Sequence, residues 1–281
     1  MSDDDALFPH GNYRNYYYRR YYMKHSDKRD AISSVERDPR FVVLKRQLPH
    51  GARMLDVGCN VGTFSARLAH QLNARSLLGV DIDETLVAEA TLRHAHDPTA
   101  YADEFVLHAT PRADGSTIFP YFPANVTESS TNVSAAVVQA RLDRLREQHA
   151  RSPAISFRAE DYVATPAAPD QQLFDVILCL SVSKWVHLNG GDDAVRALFR
   201  KCFAQLAPGG IFVFELQPWS SYRAYKHMFP AERVAALRFR PSDFHSYLMS
   251  DAIGYADSRA LELDAKEYKR PIQLYFKNAS S

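Results

Sequence analysis

The stretch Ala52–Leu72, ARMLDVGCNVGTFSARLAHQL, decides the fold because it runs from a strand through a glycine turn into a helix. Its first residues are mostly apolar, as in a buried strand, whereas Phe64 and Leu68 recur at the spacing of one helix face. Gly58 and Gly62 flank the turn, where a residue without a side chain lets the backbone bend sharply and approach a ligand. The stretch therefore predicts the first strand–turn–helix unit of an α/β fold.

Strands continue to alternate with helices along the chain. The predicted strands after the first are SLLGVDID (76–83), AISFRAEDYV (154–163), FDVILCLSV (174–182), IFVFELQPW (211–219), ALELDA (260–265) and PIQLYFK (271–277), and the other predicted helices are RFVVLKRQL (40–48), ETLVAEATLRHAH (84–96) and DAVRALFRKCFAQL (193–206). This alternation is typical of a mostly parallel seven-stranded sheet with helices on both faces. Ligands of such sheets bind at the carboxyl ends of the strands.

The composition excludes several classes of protein. The chain has 281 residues, of which 46% are hydrophobic and 24% charged, and this balance is typical of one globular core. It has no apolar run of bilayer length and no apolar segment behind a basic N-terminus, so we expect neither secretion nor membrane insertion. Its three cysteines, Cys59, Cys179 and Cys202, lack metal-ligand spacing. We therefore expect reduced thiols, no metal site and a nuclear or cytosolic location.

The segment 11–30, GNYRNYYYRRYYMKHSDKRD, interleaves six tyrosines with six arginines and lysines. Cations attract phosphates and tyrosine rings stack on bases, so the segment suits single-stranded or terminal nucleic acid. A tyrosine-rich arm that packs on the core explains the composition equally well. We predict an N-terminal arm (1–30) and a single domain (31–281). The domain carries a flexible insertion at about 97–153, where the alternation of strand and helix fades.

The glycine turn favours a ligand without a pyrophosphate group. It is not the dinucleotide-binding fingerprint, because Asn60 stands where that pattern has glycine. Asp81 ends the second strand about twenty residues later, where a carboxylate accepts hydrogen bonds from ribose hydroxyls. Asp56 precedes the first glycine and suits a ligand that carries an ammonium group. S-adenosylmethionine has a ribose and an ammonium but no pyrophosphate, so Asp56, Gly58, Asn60, Gly62 and Asp81 are predicted to bind it.

Two further strand ends carry side chains suited to the same cavity. After the third strand, Asp161 can accept a hydrogen bond from an adenine amino group, and Tyr162 can pack on the ring. After the fourth strand the sequence reads SVSKWVHLN (181–189). Lys184 lies where enzymes that methylate amide or adenine nitrogens carry an Asn/Asp-Pro-Pro-aromatic tetrapeptide. A lysine holds a neutral amine poorly, and it suits an anionic nucleophile.

Five motifs of the chain occur in the order and with roughly the spacing found in the Bin3-type RNA methyltransferases, which the chain resembles. They are GNYRNYY (11–17), LDVGCNVG (55–62), GVDID (79–83), DVILCLSVSKWVHLNGGD (175–192) and LQPWSSY (216–222). The resemblance is closer to the branch that caps small nuclear RNA with methylphosphate. It implies a Rossmann-like class I S-adenosylmethionine-dependent methyltransferase that methylates the 5′-terminal phosphate of a small noncoding RNA and releases S-adenosylhomocysteine. It also implies the nucleus, with the cytoplasm as the alternative, and ribonucleoprotein partners; we expect a monomer.

The resemblance also assigns residues, position by position. The donor set is Arg20, which would anchor the donor carboxylate, with Gly58, Asn60, Asp81, Ile82, Asp161, Tyr162 and Leu180. The set around the RNA end is Asn12, Tyr13, Lys184, Trp185, His187 and Asn189, to which we add Trp219 and Arg223. Two residues depart from the family pattern: His10 replaces the usual tyrosine, and Leu216 replaces the usual proline. The first is expected to alter phosphate contacts and the second only packing at a strand end.

The implied reaction needs no general base. A terminal phosphate has a second pKa of about 6, so it is already largely anionic near pH 7. Lys184 is expected to balance the phosphate charge, while His187 and Asn189 donate hydrogen bonds to other phosphate oxygens. Trp185 is expected to form a wall of the methyl pocket or to stack near the terminal nucleotide.

Three alternatives stay open at this point. In the first, Lys184 forms a structural ion pair with Asp192 or Glu215, and Trp185 and His187 belong to the core. In the second, the acceptor is a 5′-monophosphate or a ribose 2′-hydroxyl. In the third, which is a different class of function, the chain is a ribonucleoprotein assembly factor that binds a noncoding RNA.

Overall fold

A seven-stranded sheet forms the centre of the described chain. The computed structural model describes residues 10–11, 35–94, 110–111, 117–118, 152–166, 173–223, 225–263, 268 and 270–279. The strands of the sheet are β1 (Arg53–Val57), β2 (Ser76–Asp81), β3 (Ala154–Ala159), β4 (Phe174–Cys179), β5 (Leu206–Glu215), β6 (Asp257–Leu261) and β7 (Ile272–Phe276). Their order is β3-β2-β1-β4-β5-β7-β6. Strands β1 to β5 are parallel, and β7 runs antiparallel to β5 and β6. The predicted mostly parallel seven-stranded sheet is confirmed.

Helices cover both faces of this sheet. They are α1 (Pro39–Gln47), α2 (Thr63–Gln71), α3 (Glu84–His94), α4 (Ser183–Gln205), α5 (Ala231–Ala236) and α6 (Phe244–Met249). Successive residues of a strand point to opposite faces. Along β4, accordingly, Val176 and Leu178 pack in the core cluster that contains α1 and α2, whereas Ile177 and Cys179 pack in the cluster that contains α4 and α6. The two apolar layers hold the carboxyl ends of the parallel strands at one edge.

Helix α4 begins about ten residues earlier than predicted. It starts at Ser183 and continues to Gln205, with a break at Gly191, whose backbone angles are φ 73° and ψ −168°. The adjacent glycines 190 and 191 suggested the end of a loop, but they form a kink inside the helix. The sequence 184–189 therefore lies on helical turns, and its side chains point in different directions.

Two smaller boundaries also differ from the prediction. Strand β5 begins at Leu206 and includes the APGG sequence that was predicted to be a turn, and β6 spans Asp257–Leu261, a few residues before the predicted 260–265. Both differences concern edges of elements, where hydrogen bonding to a neighbouring strand decides the boundary more than the local sequence does.

The chain divides into two compact units, Met1–His94 with Pro153–Ser281, and Ala95–Ser152. In the second unit the structure describes an antiparallel pair formed by Thr110–Pro111 and Thr117–Ile118. Most of the predicted arm (1–30) and most of the predicted insertion (about 97–153) lie outside the described residues. No helix in the described part of the chain is both long and apolar enough to cross a membrane.

The glycine turn between β1 and α2 is held by backbone hydrogen bonds to β2. The amides of Gly58 and Cys59 donate to the carbonyl of Val80 over 2.7 and 3.0 Å. Gly62 ends the turn with φ 70°, and a Cβ atom there would lie 2.6 Å from the ring of Phe157 on β3. Gly62 is therefore a packing position. Gly62 does not line the cavity at the strand ends, and its contact with the cofactor stays a prediction.

We predict that Gly62→Ala lowers the free energy of unfolding more than Gly51→Ala does. Gly51 has nearly the same φ, 72°, but nothing lies within 4 Å of the place that a Cβ atom would occupy there. The control variant therefore carries only the left-handed backbone penalty of about 1–2 kcal/mol. Gly62→Ala adds overlap with Phe157, for which we expect about 1–3 kcal/mol more. Urea denaturation of the two variants and the wild type measures the difference. Equal losses in the two variants would contradict the packing role.

Candidate active site

A cavity of about 910 Å³ opens at the carboxyl ends of the parallel strands. Its volume is in the range of small-molecule and cofactor sites, about 300–1,000 Å³. Eleven of the predicted site residues line it: Asp56, Gly58, Asn60, Asp81, Ile82, Asp161, Tyr162, Leu180, Lys184, Trp185 and Asn189. The described residues Gly62, His187, Trp219 and Arg223 do not line it, and Arg20, Asn12 and Tyr13 lie outside the described residues.

Buried carboxylates form the side of the cavity next to β1 and β2. Burial, together with the nearby charge of Asp81, raises the pKa of Asp56 to about 7 against the opposing effects of Ser65 and Arg40. Burial also raises the pKa of Asp81, although its carboxylate accepts hydrogen bonds from the amides of Asn60 and Asp83 over 2.8 and 3.1 Å. Two carboxylates that burial destabilises favour a ligand that carries positive charge and hydrogen-bond donors.

Hydrogen bonds to Asp161 and from Lys201 stabilise the turn after β3. The Asp161 carboxylate accepts hydrogen bonds from the amides of Val163 and Ala164, each over 3.0 Å. Lys201 donates to the carbonyls of Tyr162 and Thr165 over 2.6 and 2.8 Å. The Tyr162 ring belongs to the core, and its hydroxyl donates to a buried glutamine of α4. This arrangement holds Asp161 and Tyr162 at the cavity wall.

The Lys184 ammonium contacts two aromatic rings, those of Trp185 and Tyr225, which we call the aromatic bracket. No carboxylate among the described residues pairs with it. The ammonium is 4.6 Å from the centroid of the Trp185 ring and 3.8 Å from that of Tyr225. The residue is 3% exposed, and its amide donates to the side chain of Gln217 over 2.9 Å. Burial, with a contribution from the charge of Arg270, lowers the pKa of Lys184 to about 8.

The alternative in which Lys184 forms a structural ion pair is wrong for the described chain. Asp192 accepts instead from His187, and Glu215 from Arg40 and Arg270. Aromatic faces attract a cation without neutralising it. The lysine therefore keeps a positive charge that an anionic ligand can balance.

Trp185 and Asn189 form one wall of the cavity together with the N-terminal segment. A Cβ atom at Gly11 would lie 2.1 Å from the Trp185 indole, so the Gly11 backbone packs directly on this ring. The Asn189 side-chain amide donates to the Trp185 carbonyl one helical turn earlier, over 2.9 Å. Both positions agree with a role beside the acceptor, which stays a prediction. His10, which replaces a family tyrosine, also lines the cavity.

His187 does not reach the cavity, and the prediction that it contacts phosphate is wrong. The side chain is 0% exposed, and its two ring nitrogens contact the Asp192 carboxylate at 2.8 Å and the Tyr222 hydroxyl at 3.2 Å. The His187 ring is directed to Asp192 and Tyr222, whereas the Lys184 ammonium lies at the rings of Trp185 and Tyr225. Burial lowers the pKa of His187 against the opposing effect of Asp192, so the ring is uncharged near neutral pH.

Trp219 and Arg223 do not line the cavity, and their contact with the RNA end stays a prediction. The Trp219 ring packs against Tyr222, with centroids 4.7 Å apart, and the Arg240 guanidinium covers it at 3.9 Å. The ring thus contacts a tyrosine and an arginine of the same chain. Arg223, the next residue in the chain after Tyr222, is exposed.

Sequence reasoning missed an ion network below the cavity. Glu215, the last residue of β5, is 0% exposed; it accepts from Arg40 over 3.1 Å on one oxygen and from Arg270 over 2.8 Å on the other. The Ser181 hydroxyl donates to the second oxygen over 2.9 Å. Burial opposes the charge of Glu215, but the two arginines hold its pKa below the usual value. Arg40, Arg270 and Ser181 line the cavity.

A local signal existed for only part of this network. A glutamate at the end of an apolar strand requires a cationic partner, and an arginine on the apolar side of α1 is equally unusual. The pairing itself joins residues 175 positions apart in the chain. Among the described residues, no group of three or more His, Cys, Asp or Glu side chains could hold a metal ion.

Two family models match the chain. One is Bicoid-interacting protein 3 (Bin3), which matches residues 174–277, and the other is a methyltransferase domain, which matches residues 119–214. The first of these matches contains α4, β5 and β7 and therefore Lys184, Glu215 and Arg270. The methyltransferase match and the seven-stranded sheet confirm the predicted class I methyltransferase fold.

The chain is also similar to curated proteins over most of its length. It is 36% identical to a "Probable RNA methyltransferase" of Arabidopsis thaliana, covering 90% of this chain and 74% of that protein. It is 30% identical to the U6 snRNA methylphosphate capping enzyme Amus of Drosophila melanogaster, covering 99% and 78%. It is 32% identical to the human 7SK snRNA methylphosphate capping enzyme, covering 97% of this chain but 40% of the human protein.

More distant similarity extends to a pre-miRNA 5′-monophosphate methyltransferase of Danio rerio, at 25% identity over 79% of this chain and 72% of that protein. Among solved structures, magnesium protoporphyrin IX methyltransferase from Synechocystis, with bound S-adenosylhomocysteine, matches with a TM-score of 0.49 and 16% identity over 98% of this chain and 100% of that chain.

The identity to the Arabidopsis and Drosophila proteins, together with the Bin3 match, decides the family. The chain belongs to the Bin3 family of RNA methyltransferases.

Proposed function

We propose that this chain is an RNA 5′-end phosphate O-methyltransferase that methylates the terminal γ-phosphate of a small noncoding RNA. The observation that carries the proposal is Lys184, a buried cation in the cavity that aromatic rings hold and no described carboxylate neutralises. Such a group suits an anionic acceptor. The relatives at 30% identity or more include three named for methylphosphate capping, whereas those named for 5′-monophosphate ends are 25–27% identical, which favours the γ-phosphate.

The carboxylate side of the cavity fits S-adenosylmethionine. Asp56 suits the donor ammonium, Asp81 the ribose hydroxyls and Asp161 the adenine amino group, while the left-handed backbone at Gly58 admits a close ligand. Arg20, Asn60, Ile82, Tyr162 and Leu180 complete the proposed donor set. When bound, S-adenosylmethionine supplies a methyl carbon to the phosphate oxygen, and its sulfur keeps the electron pair of the broken bond.

The residues on the other side position the acceptor. The terminal phosphate is already anionic at neutral pH, so no residue has to remove a proton. Lys184 attracts and orients the phosphate, because its charge is not shared with a carboxylate. Trp185 and Asn189 limit the space around it, and burial of the site keeps water from competing. Alignment of two bound reactants can lower a barrier by about 7–11 kcal/mol, so positioning is the main task of these residues.

The remaining parts of the proposal concern the rest of the chain and the cell. We infer that the 1–30 arm contributes Asn12 and Tyr13 at the RNA end, and that the insertion at about 97–153 interrupts a single domain. We place the activity in the nucleus, because relatives are named for small nuclear RNAs. We propose a monomer that works with ribonucleoprotein partners.

The direct test uses labelled S-adenosylmethionine and one short RNA with a 5′-triphosphate, monophosphate or hydroxyl end. We expect label on the triphosphate form that a phosphatase removes together with the terminal phosphate. A preference for the monophosphate would change the acceptor within the family. Transfer to the hydroxyl form would overturn the role of Lys184. If S-adenosylhomocysteine binds but no RNA accepts label, the chain acts as an RNA-binding assembly factor.

The pH dependence of kcat/KM tests the charge of Lys184. We expect a decrease above about pH 8, where Lys184 loses its proton, and a decrease below about pH 6, where the RNA phosphate gains one. Lys184→Arg removes the upper decrease because arginine stays protonated. Lys184→Gln lowers kcat/KM about 10- to 100-fold across the range. Lys45→Arg, on the exposed side of α1, is the matched control and leaves the profile unchanged.

The affinity for S-adenosylhomocysteine tests the role of Asp56. The pKa of Asp56 is raised to about 7, so the carboxyl holds a proton below that pH and cannot bind the ligand ammonium well. Calorimetric titration should therefore show tighter binding as the pH rises from about 6 to 8, by up to about tenfold. Asp56→Asn binds weakly at every pH, and Asp257→Asn, an exposed residue of β6, behaves as the wild type. A pH-independent wild type would exclude Asp56 as the ammonium partner.

A further inference from the structure

Arg270 brings a second cation into the cavity from a distant part of the chain. It lies just before β7, and its guanidinium lines the cavity together with Lys184. Arg270 lies 89 positions from Ser181, to which it donates a hydrogen bond over 2.9 Å. No motif in the sequence marks this residue as part of the site, and only the pairing of β7 with β5 places it there.

The guanidinium is held in a fixed position. One of its nitrogens, Nη1, donates both to the Ser181 hydroxyl and to the buried Glu215 carboxylate, over 2.9 and 2.8 Å. Glu215 is itself fixed by Arg40 on its other oxygen. Ser181 adopts φ 66°, a left-handed conformation that is unusual for a residue with a side chain. Such strain persists only where the surroundings enforce it, and it concentrates at functional sites.

The charges of the cavity are divided between its two sides. Asp56 and Asp81 lie at the ends of β1 and β2 and Asp161 follows β3, whereas Lys184 is on α4 after β4 and Arg270 precedes β7. Arg40 also lines the cavity and acts on both Asp56 and Glu215. The charge of Arg270 acts on Lys184, because it adds to the lowering of that lysine's pKa. Arg270 shares its charge with Glu215 through Nη1, so the repulsion of Lys184 is partial, and an anion beside both side chains relieves it.

We propose that Arg270 binds the 5′-phosphate chain of the RNA together with Lys184 and gives preference to a triphosphate end. The inference rests on the proposed function and names a substrate contact that it leaves open. A guanidinium presents planar donors that match phosphate oxygens, whereas an ammonium acts as a point charge. Two cations on separate elements match an anion whose charge extends over more than one phosphate. Lys184 then holds the terminal phosphate, and Arg270 a phosphate next to it.

The position of Arg270 also separates this role from donor binding. The carboxylates proposed for the donor lie at the ends of β1 and β2 and after β3, while Arg270 contacts Ser181 after β4 and Glu215 at the end of β5. An arginine that served the donor carboxylate would change the affinity for S-adenosylhomocysteine. If Arg270 only paired with Glu215, its replacement would change the stability of the protein and neither ligand affinity. These three roles predict different measurements.

The experiment compares the full-length wild type with Arg270→Gln, Arg270→Lys and Arg259→Gln. Arg259 is an exposed arginine on β6, near the ring of Phe276, and is the matched control. Binding of one 3′-labelled RNA with a triphosphate, monophosphate or hydroxyl 5′ end is measured by fluorescence anisotropy, with S-adenosylhomocysteine present at saturation. Calorimetry gives the S-adenosylhomocysteine affinity of each variant, and thermal denaturation its stability. Arg270→Lys retains a cation for Glu215 and so tests the contact in a chain that still folds.

We expect Arg270→Gln to weaken binding of the triphosphate RNA about tenfold or more, the size of one charge-assisted hydrogen bond. Monophosphate binding weakens at most about threefold, because that end lacks the second phosphate and feels only the more distant charge of Arg270. Binding of hydroxyl RNA and of S-adenosylhomocysteine stays unchanged, because neither has a 5′ phosphate. Arg270→Lys restores part of the triphosphate preference, since it keeps the charge but loses the planar donors. Arg259→Gln matches the wild type.

Other results would overturn the inference and leave the proposed function intact. If Arg270→Gln and Arg270→Lys retain the wild-type preference for triphosphate, Arg270 does not contact the phosphate chain. If S-adenosylhomocysteine affinity falls while that preference persists, Arg270 belongs to the donor side. A wild type that binds all three RNAs equally would instead overturn the proposed function itself, whatever the variants do.

Discussion

The buried carboxylate of Glu215 is the interaction on which the site depends. A carboxylate removed from water costs several kcal/mol unless cations and donors surround it. Arg40 from α1, Arg270 before β7 and Ser181 after β4 supply them, so one charge fixes three separate segments against the end of β5. The left-handed turn at Ser181 leads directly into α4, and its first turn carries Lys184. The network under the cavity therefore determines where the cation inside it lies.

The cavity combines two environments that a single apolar pocket could not provide. Carboxylates with raised pKa values on one side favour a cationic ligand, and a lysine with a lowered pKa on the other side favours an anionic one. A methyl transfer from a sulfonium to a phosphate needs both, and the two kinds of charge must not neutralise each other. Strands β1 and β4 lie side by side in the sheet, so these environments meet at its centre. The aromatic bracket of Trp185 and Tyr225 keeps the lysine from pairing with the carboxylates.

Local patterns in the sequence predicted the fold, and the donor-side residues that they marked line the cavity apart from Gly62 and the undescribed Arg20. The β1–turn–α2 unit, Asp81 and the five parallel strands depend on hydrophobic periodicity and glycine placement, which neighbouring residues encode. The acceptor side was predicted less well. The sequence predicted a helix only from residue 193, whereas α4 begins at Ser183 and buries His187 against Asp192 and Tyr222. Arg40 and Arg270 carry no local signal, because their meeting at Glu215 depends on strand pairing and helix packing over long separations.

The division of the cavity has a consequence for how such enzymes diverge. Most of the proposed donor side is encoded by one short part of the chain, residues 56–82, with Asp161 added after β3. The proposed acceptor side draws on residues from 181 to 270, spread over α4, the end of β5 and the approach to β7. Mutations that accumulate after β4 can remodel the accepted RNA end while the donor side is inherited unchanged. A lineage can thus acquire a new substrate without losing its methyl donor during the transition.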